Sequence, residues 1–168
     1  MPMNRIQYPA LLRLAVVLVA VVAAVTLTSV AAAGPATAKQ QVQIAILGND
    51  SGPGSFKLEP VSGGRLQPDS GTANVVFSRS NVVVRDGQRV EIYNLTWTLT
   101  GKHGSLTTRE RNEWIDTGEA FIGLGKWKVV RGTGAYATAT GGGRSASVGL
   151  NHGNGEWVIR TDGFLTLR

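Results

Sequence analysis

The chain has 168 residues, with 17 basic and 11 acidic side chains, a formal net charge of +6 and no cysteine. The absence of cysteine excludes a disulfide framework, a thiolate nucleophile and any zinc or iron–sulfur centre with cysteine ligands. Because the charges are scattered singly and form no run of Lys and Arg, the sequence favours a mixed, soluble surface over one that binds nucleic acid. A weak attraction to anionic polymers of a cell surface is compatible with the positive charge.

The N-terminus has the pattern of an export signal. Arg5 and Arg13 precede an apolar run over residues 14–30, and two A-x-A motifs follow within residues 31–38. We therefore predict a signal helix over residues 1–38 that is removed on export. The alternative is an uncleaved anchor, because the apolar run approaches the ~20 residues that span a bilayer. The expected location is secreted or extracellular, or the cell surface if the leader is retained, with membrane contact through the leader alone.

Residues 39–168 are long enough to form one self-sufficient domain. Two of the basic residues and none of the acidic ones belong to the leader, so 15 basic and 11 acidic residues remain, a net charge of +4. Stability has to come from a packed core, since no disulfide is available.

Most of this domain alternates apolar and polar residues with period two, which is typical of strands that are buried on one face. Glycine-rich turns separate these runs, at Gly101-Lys102-His103-Gly104, at Asp86-Gly87 and over residues 151–155, and longer loops are expected over residues 49–54 and 62–71. No segment has helical periodicity. Strands are predicted over residues 41–47, 73–77, 81–85, 92–99, 106–114, 124–131, 144–150 and 156–167, the last open to a break at Asp162-Gly163. The pattern predicts an all-β domain, either a closed barrel or a sandwich.

A glycine-rich stretch over residues 132–143 follows a strand-like run. Its first six residues fit the G-x-G-x-x-A form of a dinucleotide-binding fingerprint, but that motif needs a helix after the glycines to hold the phosphate. Three consecutive glycines leave no room for one. The stretch instead indicates a sharp turn between strands, and we expect five glycines to shape the backbone and bind no cofactor: Gly132, Gly134, Gly141, Gly142 and Gly143.

The succession GKWKVVRGTGAYA over residues 125–137, followed by GGGR over 141–144, resembles secreted bacterial proteins of the allene oxide cyclase-like barrel group. That group is related in fold to plant dirigent proteins and allene oxide cyclases. GKHGSLT over residues 101–107 is similar to its preceding hairpin, and GFLTL over 163–167 to its closing strand. The resemblance spans residues 96–167. It implies a single antiparallel, eight-stranded closed β-barrel with a partly apolar cavity, and it assigns no catalytic residue.

The aromatic residues are the strongest candidates for a binding site. One face of the predicted strand 92–99 carries Tyr93, Leu95, Trp97 and Leu99, and large flat side chains of this kind line cavities for apolar or aromatic ligands. The same residues are also ordinary core fillers of small barrels. Further aromatic candidates are Trp114, Trp127, Tyr136 and Trp157, of which Trp127 and Tyr136 are expected to pack around the glycine-rich turn.

Catalytic groups are less well indicated. Glu110, Glu113, Asp116 and Glu119 could work as paired carboxylates, but the interleaved Arg109 and Arg111 explain them equally well as ion pairs on a polar face. Glu110 is the one catalytic candidate, because it shares a strand face with Leu106 and Trp114. A carboxylate in an apolar interior has a raised pKa and can transfer protons. His103 and His152 lie in turns without suitable acidic neighbours, so no metal site is predicted, and no cofactor is expected.

These observations predict an exported barrel that binds a small apolar or aromatic molecule, or serves at the cell surface, without hydrolytic chemistry. One alternative is an enzyme of the cyclase or dirigent kind, an isomerase-like barrel that steers ring closure or coupling by positioning its substrate. The other is a module that recognises a surface polymer or partner chain through its loops. An open interior with Glu110 inside favours the two cavity hypotheses. The oligomeric state is left open.

Overall fold

The computed structural model describes residues 39–49, 51–150 and 155–168. The predicted signal helix over residues 1–38 lies outside the described residues, as does His152. Within the described part of the chain, no helix is long and apolar enough to cross a membrane. That part contains eight strands, β1 (Lys39–Gly48), β2 (Gly54–Pro60), β3 (Asp69–Arg85), β4 (Gln88–Gly101), β5 (Gly104–Asp116), β6 (Ala120–Gly132), β7 (Thr140–Leu150) and β8 (Trp157–Thr166).

The eight strands form one closed antiparallel barrel in which every strand pairs with its neighbours in the sequence and β8 returns to β1. The predicted all-β, eight-stranded closed barrel is therefore confirmed. Because the topology is up and down, the connections fall alternately at two ends. The β2–β3, β4–β5 and β6–β7 connections share one end with Lys39, and the remaining four connections share the other.

Alternation of side chains produces the barrel interior. In β1 every second residue is buried, as the burial of Val42, Ile44 and Ile46 illustrates, while their neighbours face outward. Five of the most completely buried side chains lie toward the end with the β4–β5 hairpin: Val42, Leu58, Leu99, Leu106 and Leu165. This half of the barrel is filled by aliphatic side chains.

Several strands begin earlier or end later than predicted, and the assignment of the strands themselves differs in three respects. β2 was not predicted, although it alternates in burial from Gly54 to Pro60. Segments 73–77 and 81–85 form a single strand, β3, which continues through a register shift between Arg79 and Asn81. β8 runs without a break through Asp162-Gly163. The predicted total of eight arose because one missed strand compensated for one strand that was counted twice.

The glycine-rich stretch does connect two strands, but its turn is shorter than expected. Gly132 is the last residue of β6, a 3-10 helix occupies Gly134–Tyr136, and Gly141, Gly142 and Gly143 lie within β7 and not in the turn. Gly134 has φ of +58°, a conformation that favours glycine. A Cβ at this position would also collide with the carbonyl oxygen of His103. The turn thus packs against the β4–β5 hairpin.

A buried aspartate joins three segments at this end of the barrel. Asp69 Oδ1 accepts hydrogen bonds from the backbone N–H groups of Ser70 and Lys102, both at 2.9 Å. Its Oδ2 accepts from the backbone N–H of His103 at 3.3 Å and from the phenol of Tyr136 at 2.9 Å. Burial alone would raise the pKa of Asp69, but the four hydrogen bonds outweigh it and hold the pKa below its usual value.

A second contact covers the same end. The side chain of Gln40 donates to the carbonyl of Ser62 at 2.8 Å and accepts from the backbone N–H of Leu66 at 3.0 Å. This fixes the β2–β3 connection so that Leu66 is buried, together with Tyr136 and Ala139. The end that carries the β4–β5 hairpin is therefore closed, and we call the opposite end the mouth.

We expect Asp69→Asn to lower the free energy of unfolding by roughly 1.5–3 kcal/mol, because the amide keeps one acceptor oxygen and loses the charge. Urea denaturation of the variant at neutral pH measures this. The exposed Asp162 provides the control, since Asp162→Asn should change stability by less than about 0.5 kcal/mol. Equal effects of the two substitutions would contradict the structural role of Asp69.

Gly134→Val is expected to destabilise the fold by about 2 kcal/mol or more, because valine disfavours a positive φ and its Cβ meets the His103 carbonyl. Gly87→Val is the matched control: Gly87 has φ of +79°, but nothing lies within 4 Å of an added Cβ. Thermal unfolding should show a clearly larger loss at position 134. A Gly134→Val protein that folds normally and loses nucleotide binding would restore the discarded fingerprint interpretation.

Candidate functional site

The interior opens at the mouth into a cavity of about 320 Å³. Its wall comes mainly from β3 to β8, and it is predominantly apolar. Five aromatic residues contribute to it, Phe77, Trp97, Trp114, Phe121 and Trp157, together with the aliphatic residues Val75, Leu95 and Ile159. A cavity of this size is at the lower end of the range for small-molecule sites, so it suits a small ligand.

Aromatic rings in mutual contact surround the entrance. Trp114 has Tyr93, Phe121 and Phe77 as neighbours, at ring-centroid distances of 4.9, 6.0 and 6.4 Å. Phe77 is 53% exposed, so an apolar ring faces solvent at the entrance. Tilted and edge-to-face contacts of this kind hold the rings in defined orientations. The mouth is therefore a preformed apolar entrance.

A buried polar layer lies beneath the cavity, with Glu110 at its centre. Glu110 is 3% exposed and points into the barrel, as its position on the strand face predicted. Its Oε2 accepts a hydrogen bond from Trp97 Nε1 at 3.0 Å, and its Oε1 accepts from Asn112 Nδ2 at 3.0 Å and from the Ser145 hydroxyl. Burial raises the pKa of Glu110 above its usual value, although the three donors oppose that shift.

Two glycines on the inner face of β6 make room for this layer. A Cβ on Gly125 would lie 2.6 Å from Ser145 Oγ and 2.7 Å from Glu110 Oε1. A Cβ on Gly123 would collide with Ser147 Oγ and with the indole of Trp114. Since the facing positions on β7 are Ser145 and Ser147, the mouth half of the barrel has small residues on two adjacent strands. The cavity exists because these positions lack bulk.

Two buried polar atoms near the cavity have no hydrogen-bond partner within the described residues, Trp114 Nε1 and Asn112 Oδ1. Trp114 lines the cavity, while Asn112 is fully buried just below it and lies within 3.5 Å of Ser147 Oγ. Unpaired buried polar groups are costly, by about 1–3 kcal/mol each. A hydrogen-bond acceptor on a ligand could relieve that cost at Trp114, which lines the cavity.

The structure separates the four residues predicted to bind a ligand. Leu95 and Trp97 line the cavity, whereas Tyr93 packs on Trp114 at the entrance. Leu99 lies deeper, in the filled half of the barrel, where it pairs with Leu106. The inner face of β4 was correctly assigned as a unit, but the cavity occupies only its central part.

The other candidate groups do not converge on this site. Glu113 faces outward and forms an ion pair with Arg85, so it is no partner for Glu110. His103 lies at the closed end, and its backbone amide belongs to the Asp69 network. Among residues 39–49, 51–150 and 155–168, no three His, Cys, Asp or Glu side chains are grouped as a metal site would require.

Sequence reasoning missed the contributions of Phe77, Phe121, Asn112 and the glycines of β6. Phe121 precedes the segment that was predicted to form a strand, and Asn112 looked like an ordinary polar position. A signal for the glycines was present, because Gly123, Gly125 and Trp127 occupy alternate positions of one strand face. Glycines at every second position of a strand indicate space on that face.

Fold and cavity together define this domain as a small antiparallel barrel that is filled at one end and open to an aromatic-lined cavity at the other. Comparisons of the chain with known protein families, with curated proteins and with solved structures find no match. Any assignment of function therefore rests on the chemistry of the cavity and the surface.

Glu110→Gln should alter how stability depends on pH. The unfolded chain ionises Glu110 near pH 4.3, whereas the folded protein does so at higher pH. The contribution of Glu110 to stability is thus fully present below about pH 4.3 and is lost as the pH rises through the folded-state pKa. We expect the unfolding free energy of the wild type, minus that of Glu110→Gln, to fall with rising pH in urea titrations.

Glu113→Gln provides a control of opposite sign. Hydrogen bonding to Arg85 lowers the pKa of Glu113, so its contribution is present above the unfolded-state pKa and is lost as the pH falls through the folded-state pKa. The corresponding difference should rise slightly with pH, since exposed ion pairs contribute little. A flat profile for Glu110→Gln would show that the carboxylate is not desolvated.

Proposed function

We propose that this protein is an exported barrel that holds a small, largely apolar or aromatic molecule in its mouth cavity. The observation that carries the proposal is the open cavity of about 320 Å³, walled by aromatic rings and bounded below by buried polar groups. Apolar pockets with a few convergent polar groups are the usual form of small-molecule sites. Export rests on the basic, apolar and A-x-A succession of the leader.

The wall supports a particular ligand chemistry. Aromatic residues favour a flat, apolar body, which would pack against rings such as those of Trp97 and Trp157. These two rings contact each other, with centroids 5.5 Å apart and an interplanar angle of 57°. Trp114 Nε1 can donate a hydrogen bond, and the Ser147 hydroxyl can donate or accept one. An uncharged molecule of one or two rings with a hydroxyl or carbonyl group fits these features.

An enzyme of the cyclase or coupling-guide kind is the alternative, and it would use the same cavity. The aromatic wall supports it, because a dry, shaped space can restrict a reactive intermediate to one conformation. Direct proton transfer by Glu110 is less favoured. Both of its oxygens accept hydrogen bonds, and Trp97 stands between the carboxylate and the cavity. The geometry therefore favours binding, with Glu110 as the acceptor that positions Trp97 and Asn112.

Binding can be tested with 2-naphthol, a two-ring aromatic alcohol, by following intrinsic tryptophan fluorescence, because three tryptophans line the cavity. We expect saturable binding by the wild type. Gly149→Leu places a side chain in the cavity, and its Cβ meets only Trp157 Cβ, at an ordinary 3.4 Å, and the Glu156 carbonyl, at 3.9 Å. This variant should fold and bind about tenfold more weakly or worse.

Gly63→Leu is the matched control, since nothing lies within 4 Å of an added Cβ at that exposed position, and it should bind as the wild type does. Naphthalene, which lacks the hydroxyl, should bind roughly fivefold more weakly, the value of one hydrogen bond. Equal binding by Gly149→Leu and the wild type would overturn the cavity as the site. Native mass spectrometry of protein purified from its own host would then reveal whether another ligand copurifies.

A further inference from the structure

The outer wall of the barrel carries a concentration of positive charge that the sequence does not reveal. Outward-facing positions of β5, β6 and β7 place six exposed basic residues on one surface, which we call the basic patch: Arg109, Arg111, Lys126, Lys128, Arg131 and Arg144. In the sequence they are single charges, and Arg109 and Arg111 are separated by the acidic Glu110. Folding brings them together because alternate residues of adjacent strands share a face.

The register sets like charges directly opposite one another. Arg111 pairs with Lys126, which pairs in turn with Arg144, and Arg109 pairs with Lys128 one step further along the strands. Neighbouring strands lie about 4.8 Å apart, so the first row extends over roughly 10 Å, and the two rows are about 6.7 Å apart. Like charges directly opposite on a sheet are destabilising. The fold therefore retains an arrangement that favours a counter-charge.

The protein itself supplies little of that counter-charge. Within the described ranges, the one ion pair that reaches the patch joins the exposed Arg111 to the partly exposed Glu113, at a long 3.9 Å. Glu113 is already engaged with Arg85. Asp162 lies across from Arg144 at the edge of the patch but forms no ion pair with it. Arg131 donates from Nε to Thr107 Oγ1 at 3.4 Å, and its remaining guanidinium N–H groups, like the exposed cationic groups of the other patch residues, can meet an external anion.

Neutral polar side chains flank the patch on one side. The rows continue onto β3 and β4, where the exposed Ser78 and Asn94 lie in line with Arg111, and Thr96 lies in line with Arg109. A shallow groove of about 490 Å³ runs between these residues and the basic side chains. Hydroxyl and amide groups next to cations suit a ligand that carries hydroxyl groups between its charges.

We propose that the basic patch binds a flexible anionic polymer whose charges lie on phosphate or sulfate groups, of the kind found on cell surfaces. Tetrahedral oxyanions accept hydrogen bonds from both Arg and Lys, and a chain with successive charges can contact both rows at once. The patch lies on the outside of the sheet whose inner side holds the cavity, so this site is separate from the small-molecule site.

The same surface is poorly suited to nucleic acid or to a membrane. Trp127, the one aromatic residue that lines the groove, is buried, so it cannot stack on a base. Among the described residues the helix is a single 3-10 turn, Gly134–Tyr136, which is too short to enter a groove of the duplex. The mouth end, where the exposed ring of Phe77 offers an apolar contact to a bilayer, carries acidic residues on its connections, among them Asp86, Glu119 and Glu156. Anionic lipid would repel that end.

The test compares two triple variants of equal net charge. Lys126→Gln, Lys128→Gln and Arg144→Gln remove half of the patch. Arg65→Gln, Lys102→Gln and Arg168→Gln remove three exposed basic residues outside the patch. Binding to heparin, which is sulfated, and to long-chain inorganic polyphosphate is measured by titration across a range of sodium chloride concentrations. All six sites are exposed, so both proteins should fold, which circular dichroism checks.

We expect the wild type and the control to bind at least one of the two polymers with a steep dependence on salt. The patch variant should lose about tenfold or more in affinity at low salt, and its slope of log affinity against log salt should be shallower by about 2 to 3. Binding only of heparin or only of polyphosphate would identify sulfate or phosphate as the anion recognised. The patch variant should still bind 2-naphthol as the wild type does, since the cavity is unchanged. Loss of polymer binding with retained 2-naphthol binding separates this proposal from the cavity proposal.

Three outcomes would overturn the inference. The first is equal polymer binding by the two triple variants, which would show that polymer affinity depends on the net charge and not on the basic patch. The second is tighter binding to a short DNA duplex, or to vesicles of anionic phospholipid, than to either polymer. The third is no polymer binding by the wild type at low salt, where electrostatic attraction is strongest.

Discussion

The four hydrogen bonds that Asp69 accepts join the start of β3, the β4–β5 hairpin and the 3-10 helix between β6 and β7. These segments are distant in sequence, and a buried carboxylate without donors would be too costly to keep, so their positions depend on one another. Because Tyr136 is one of the donors, the network also holds that buried ring at the closed end. The network thereby defines the closed end. Among the described residues, only the opposite end leaves a path into the barrel interior.

Side-chain size then divides the interior. Large aliphatic residues fill the half next to Asp69, where Leu99 and Leu106 face each other. In the other half, glycines and serines of β6 and β7 leave space that the aromatic residues surround without filling. A barrel of eight strands is just wide enough for side chains to fill, so a cavity requires small residues at chosen positions. The half next to Asp69 is therefore filled by aliphatic packing, and the other half contains the cavity.

Period-two alternation and turn chemistry predicted the all-β class, because both patterns are properties of the local sequence. The resemblance, which rests largely on the glycine-rich turn, narrowed the prediction to a closed eight-stranded barrel. The path of β3 through its register shift at Arg79 could not be predicted, since a bulge is decided by pairing with β4. Leu95, Trp97 and Glu110 were placed in the interior by alternation alone. Alternation predicts which face of a strand a residue lies on, but not how far along the barrel it lies. For that reason Leu99 was grouped with Leu95 and Trp97 as a ligand-binding residue. Depth follows from which end is closed, and Asp69 decides that through contacts 33 to 67 residues away.

β5 shows how one strand can serve two sites. Glu110 and Asn112 point inward and order the polar layer, while Arg109 and Arg111 alternate with them and point outward into the basic patch. In the linear sequence this reads as a mixed run of charges that could pair with one another, and the pleat prevents that by sending the two signs to opposite faces. The arginines are accordingly left to solvent, and the inner carboxylate is stabilised by neutral donors and not by a cation. The charge of the outer wall can therefore change without disturbing the polar layer, so the two proposed sites can be altered independently on one scaffold.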